Sequence, residues 1–197
     1  MAKTFEQLWH FYFPNKVPAR NLIYHYFKKS FIRFHSLPQS KRYAESVKEY
    51  NLLLTRQNQI ITDCFGMDTS IFIVTTKHFY HINGHPLFNI QKSLQYNLIP
   101  TLAINLHLAV PDYYNDASDK DLFIMPFYVK TIWQPNIHND LLTKIADDKT
   151  SALFISFEKN IIVAPYDGGI DFIIQDKYLK QHLKEKYKDW LPPQDND

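Results

Sequence analysis

Residues 151–191, SALFISFEKNIIVAPYDGGIDFIIQDKYLKQHLKEKYKDWL, constrain the fold more than any other part of the chain. Residues 152–157 and 161–164 are short apolar runs of strand character, joined through Glu158-Lys159-Asn160, which has the length of a hairpin loop. Gly168-Gly169 at the centre of a second turn supplies the φ > 0 angles that a primed hairpin turn requires. Residues 170–174 then return as a third strand. A helix follows from about Asp176, with Leu179, Leu183, Tyr187 and Trp190 on one face at helical spacing. Pro192-Pro193 stops it. Three hairpin-linked strands closed by an amphipathic helix form a sheet-plus-helix unit.

The rest of the chain mixes helices and strands without regular alternation. Thr4 caps a first helix with Gln7 as its capping-box partner, and Phe5, Leu8, Trp9 and Tyr12 share a face. Residues 31–35 read as a strand. Residues 41–65 read as a long helix with Tyr43, Val47, Tyr50, Leu54, Ile61 and Phe65 inward, Gln57 as a polar interruption and Gly66 as the C-cap. Residues 70–76 read as a buried strand. Asn83-Gly84 marks a hairpin turn. Residues 98–110 alternate so that Leu102, Ile104, Leu106 and Leu108 share one strand face. Residues 122–133 form another strand, where Pro126 predicts an edge position or a bulge. Residues 140–147 form a short helix capped by Asn139. The class is therefore α+β: a mostly antiparallel sheet packed against several helices, with the C-terminal helix covering it. Residues 1–197 read as one domain, with 80–135 a possible elaboration.

Composition bounds function more than it defines it. A net charge of +2 is too mild for an electrostatic argument about nucleic acid and has the wrong sign for a polyanion mimic. Cys64 is the only cysteine, so no internal disulfide forms. No run approaches the length of a membrane helix, and no secretory leader is recognisable at the N-terminus. These features predict a soluble, cytoplasmic protein with no membrane association. The motifs whose glycines bring backbone amides to a phosphate or an oxyanion are missing, and no cofactor is implied.

Candidate chemistry is sparse. His78, His81 and His85 have the right ligand atoms for zinc, but their spacing is unspecific and a strand turns His78 and His81 to opposite sides; no metal site is assigned. Cys64 at a helix C-terminus lacks what activates a thiolate and reads as a packing residue. Asp167 and Asp171 bracket the glycine turn. One reading is a pair that binds a cation or acts as acid and base. Equally, Asp167 can hydrogen-bond its own turn while Asp171 lies on the strand's polar face. The last helix carries Lys177, Lys180, Lys184, Lys186 and Lys188, diluted by Asp176, Glu185 and Asp189; pairs Asp176–Lys180, Glu185–Lys188 and Lys186–Asp189 are in reach. The loop bearing Asp112, Tyr113, Tyr114, Asp116, Asp119 and Asp121 joins acidic charge to tyrosine, a combination suited to a basic partner.

The C-terminal stretch resembles an uncharacterised family of bacterial domains of unknown function. That family's pattern is two short strands, Tyr-Asp-x-Arg-Gly-x-Asp, a third strand, a helix and Trp-Leu. Tyr166, Asp167, Gly169, Asp171, Trp190 and Leu191 match it. FIRF, the helix ending in CFG and SIFIVTT resemble the family's earlier strand–helix–strand portion. The turn here is one residue shorter, and Gly168 stands where the family has its Arg. The resemblance implies a small cytosolic accessory protein, with some members acting as immunity proteins beside secreted toxins. A non-catalytic binding module of that kind is the expected function. A small hydrolase using Asp167, Asp171 and a histidine, or a nucleic-acid-associated domain using the lysine helix, is the alternative.

Overall fold

The computed structural model describes residues 3–80 and 95–193. Its centre is an eight-stranded, wholly antiparallel sheet in the order β1-β8-β7-β6-β2-β5-β3, with β4 also paired to β5. The strands are β1 Phe31–His35, β2 Thr69–Tyr80, β3 Ile99–Pro100, β4 Ile104–Asn105, β5 Leu122–Trp133, β6 Leu153–Ser156, β7 Ile161–Tyr166 and β8 Gly169–Ile174. The helices are α1 Phe5–Tyr12, α2 Ile23–Phe27, α3 Val47–Phe65, α4 Leu106–Ala109, α5 Asn139–Ala146 and α6 Lys177–Lys186. This is the expected α+β class.

Helices cover both sides of the sheet, which explains why β6, β7 and β8 are continuous apolar runs rather than alternating ones. On one side Phe34, Phe154, Val163 and Phe172 pack with Ile61 and Phe65 of α3, Leu142 and Ile145 of α5 and Leu183 of α6. On the other, Phe72, Ile155, Ile162 and Ile173 pack with Phe5 and Trp9 of α1 and Ile23 and Phe27 of α2. A smaller core joins Val17, Ala19 and Leu22 to Leu106, Val110, Leu122 and Ile124.

The three strands of the C-terminal unit and β1 form as the sequence predicts, whereas its helix ends at Lys186 and Trp190 lies in a separate 3-10 turn, Lys188–Trp190. Thr4 and Gln7 make their capping box. Gly66 ends α3 with φ 80°, a conformation that favours glycine.

Several expectations fail for local reasons. Helix α3 starts at Val47, because the Ser46 hydroxyl accepts the Glu49 amide proton, and residues 41–46 form a loop. Its buried face is rotated: Tyr43 and Val47 are exposed, while Gln57 and Asn58 are inside. The side-chain NH2 groups of both, and the Asn58 oxygen, find partners inside. Gln57 donates to Ser36 Oγ at 2.9 Å, and Asn58 donates to Asn139 Oδ1 at 2.8 Å and accepts from the Asn136 amide at 2.7 Å. Residues 98–110 are not one strand. Asn105 caps α4 by accepting from Leu108 N, so only Ile104 and Leu106 turn inward, and Leu102 is 85% exposed. Pro126 is not on an edge strand: β5 lies inside the sheet, and Pro126 falls between its pairings with β3 and β4, where no strand requires its missing N–H. Helix α5 begins at Asn139, with His138 as its N-cap. In α1, Tyr12 is exposed and Phe13, just past the helix, is buried in its place. The Asn83-Gly84 turn, His81 and His85 lie outside the described residues.

Candidate functional site

The turn between β7 and β8 sets the geometry of the candidate site. Tyr166 pairs with Gly169, so Asp167 and Gly168 are the turn's central residues. The expectation that Gly168-Gly169 is the centre and supplies φ > 0 is corrected: neither glycine has a positive φ. Glycine is required at 169 by close approach. A Cβ there would lie 2.2 Å from the Phe34 carbonyl oxygen and 3.1 Å from His35 Cα, both backbone atoms of β1. At 168 a Cβ would meet the Tyr166 ring at 3.0 Å. Asp167 accepts the Gly168 amide proton at 2.9 Å, the self-bonded turn that its side chain favours. Its other oxygen accepts from Nε of Arg42, in the loop before α3.

Asp171 lies on β8 opposite Arg33 of β1. It is 3% exposed. Arg33 donates to both its oxygens, through Nε at 2.6 Å and Nη2 at 2.8 Å. Arg20, at the segment leading into α2, places Nη2 3.6 Å from the same carboxylate. Both guanidiniums lie over the Tyr166 ring, at 4.7 Å for Arg33 and 5.2 Å for Arg20. The Asp171 hydrogen bonds hold the Arg33 guanidinium firmly in its charged form. Burial pushes the Tyr166 phenol up to about 12, against the pull of Arg33. Burial and the Arg33 charge together lower the pKa of His35, next along that face of β1. Tyr166, Asp167 and Asp171 thus form one interlocked group with Arg20, Arg33 and Arg42. Beside it opens a cavity of about 400 Å³, lined by the three arginines, Tyr166, Thr150 and Ser151 among others.

The acidic loop is a second candidate surface. Tyr114 is half-buried against the small core, its hydroxyl accepting from Asn21 Nδ2 at 2.9 Å and its carbonyl 2.9 Å from the His107 ring. Asn105 Nδ2 donates to the Lys120 carbonyl at 2.8 Å. Asp116 and Asp119 form a capping box around a 3-10 turn. Tyr113 is 53% exposed and meets the His25 ring edge-on at 6.0 Å. Asp112 and Asp121 are exposed. The loop is pinned at Tyr114 and Lys120; Asp116 is also exposed, and Asp119 is half-buried, its carboxylate accepting the Asp116 amide proton.

Trp190 stands apart from the turn. It stacks on Tyr187 at 4.3 Å, with the Arg56 guanidinium 4.9 Å from its ring. In α6 the expected ion pairs are replaced. Asp176 is the N-cap, Lys180 donates to the Lys29 carbonyl, Lys186 pairs with Asp63 at 2.5 Å, and Glu185 accepts from Gln181. His78 lies in β2, and no group of three metal-capable side chains converges among the described residues. No helix among those residues is long and apolar enough to cross a membrane.

Sequence reasoning missed Arg20, Arg33 and Arg42. Only Arg33 carried a local signal, as the polar residue alternating with Ile32 and Phe34 in FIRF. Arg20 and Arg42 reach the turn through tertiary contacts that no local pattern encodes.

Comparison with curated proteins and with solved structures gives no match. The family model described as Domain of unknown function (DUF3885) matches residues 20–195. The match takes in the whole arginine–carboxylate group and Trp190, and it begins after α1. This chain belongs to the DUF3885 family.

Proposed function

We propose that this protein is a non-catalytic protein-binding module of the bacterial cytoplasm, an immunity-type protein that neutralises a cognate toxin by direct contact. The observation that carries this reading is the pinned loop bearing Asp112, Tyr113, Tyr114, Asp116, Asp119 and Asp121. A surface already fixed by Asn21, Asn105 and His107 loses little conformational entropy when it docks. Exposed Tyr113 supplies the kind of side chain that dominates interface energetics, and the acidic residues around it suit a basic partner.

The hydrolase alternative draws less support. Asp167 and Asp171 serve as counter-ions to Arg42 and Arg33, and their oxygens are already occupied by guanidinium and turn hydrogen bonds. The nucleic-acid alternative is weakened by Lys180 and Lys186 bonding within the protein.

Affinity capture from the native cell, with the washed complex resolved by mass spectrometry, tests the reading. It predicts one stoichiometric protein partner that survives high salt. Co-purified nucleic acid that is lost as salt rises would contradict it, since phosphate contacts are strongly salt-dependent.

A further inference from the structure

We propose that the cavity at the β7–β8 turn is a binding site for one compact oxyanion, a phosphate or carboxylate group on a small organic body, held by Arg20, Arg33 and Arg42. All three guanidiniums line this cavity. The two carboxylates of the motif lock their orientation and leave most of their donors open. Arg33 commits its Nε–Nη2 edge to Asp171. Arg42 commits Nε to Asp167. Arg20 places Nη2 3.6 Å from Asp171 and its guanidinium over the Tyr166 ring. A guanidinium fork matches two oxygens of a phosphate or carboxylate. The Tyr166 ring under Arg20 and Arg33 keeps both planes in place before any ligand arrives. Thr150 and Ser151 add hydroxyl-bearing side chains to the wall.

Charge and size narrow the ligand. Three arginines face Asp148 and Asp167 in the wall, with Asp171 behind. The three positive and three negative charges cancel, so the site lacks the excess positive charge that a polyphosphate or a nucleic-acid strand would require, and recognition of a compact anion rests on the oriented guanidinium donors. A volume of about 400 Å³ lies in the range of small-molecule sites.

The test is titration calorimetry on the purified full-length chain with inorganic phosphate and, separately, succinate, each against chloride at matched ionic strength. Saturable binding is expected with at least one of them. Arg20→Gln is expected to weaken it about tenfold or more, and Thr150→Val by a smaller factor. A response to phosphate alone identifies a phosphate ligand, and a response to succinate alone a carboxylate. Two results overturn the proposal: no saturable heat from the wild-type chain up to about 10 mM of either anion, or equal binding by the wild type and both variants, which places the anion elsewhere. Two variants are used so that a folding defect in one leaves the other readable. The measurement requires no partner protein, so its failure is separable from failure of the toxin-binding reading.

Discussion

Arg33 and Asp171 face each other across the β1–β8 pair and are joined by two parallel N–H···O bonds. The pair ties the edge strand β1 to the last strand of the sheet through side chains as well as backbone. Asp171→Asn removes the charge and leaves Arg33 and Arg20 without their counter-ion. The expected loss is about 2 kcal/mol, less than for a pair buried on both sides because Arg33 is partly exposed. Replacing both residues by leucine recovers part of that loss, since of the two arginines only Arg20, with its longer 3.6 Å contact, then lacks a counter-ion. Urea unfolding of Arg33→Leu, Asp171→Leu and the double variant measures this as a coupling energy.

Gly169 sets the distance between the turn and β1. Gly169→Ala drives a methyl group into the Phe34 carbonyl, so β1 must shift. The expected cost is about 3 kcal/mol. Gly168→Ala meets a side-chain ring instead and costs less. Thermal unfolding of the two variants ranks them; equal losses would contradict the close-approach explanation.

His138 gives the fold a pH dependence of known sign. It is buried, and its Nε2–H donates to the Ile132 carbonyl at 3.0 Å while Nδ1 accepts from the Tyr96 hydroxyl at 2.7 Å. Burial lowers its pKa below the ordinary histidine value. As pH falls through about 6.5, the unfolded chain takes up a proton that the folded chain refuses. Stability therefore declines from there down to the folded-state pKa and is complete above 6.5. His138→Gln is expected to flatten this part of the curve, measured as unfolding free energy from pH 5 to 8.

Cys64 faces the core of the α3 side of the sheet, and burial raises its thiol pKa well above the ordinary value, with Asp63 adding to the shift. The thiolate is the reactive form. Ellman's reagent at pH 8 is expected to react at the rate of global opening, accelerating with urea in step with unfolding. Rapid stoichiometric reaction in the absence of urea would show the site open.

The parts of this structure legible in the sequence are those with local causes. Thr4 and Gln7 announce α1, Gly66 ends α3, and the apolar runs at 153–156, 161–166 and 169–174 announce the hairpins that carry the motif. The failures come from tertiary context. Gln57 looks like an interruption of an apolar face, yet it is buried with its Nε2 donating to Ser36 across the fold, and Asn58 beside it is held by Asn136 and Asn139. Gly169 looks like a residue chosen for φ, yet it is chosen for the carbonyl of Phe34. Of the candidate site, Tyr166, Asp167 and Asp171 were visible as a motif, and their arginine partners, up to 151 positions away in the chain for Arg20 and Asp171 (171 less 20), were not.

The most direct measurement of the central claim is capture of the native partner by the wild-type chain and by an Asp112→Lys/Asp116→Lys variant. Asp112 and Asp116 are exposed, so the substitutions leave the core untouched, although Asp116→Lys also removes a cap of the 3-10 turn. Equal melting temperatures of the two chains are the control for folding, and Asp112→Lys alone is the control for the cap. The account predicts that the wild type retains a stoichiometric protein and the variant loses it. Equal retention by both chains would contradict the assignment of the pinned acidic loop as the docking surface.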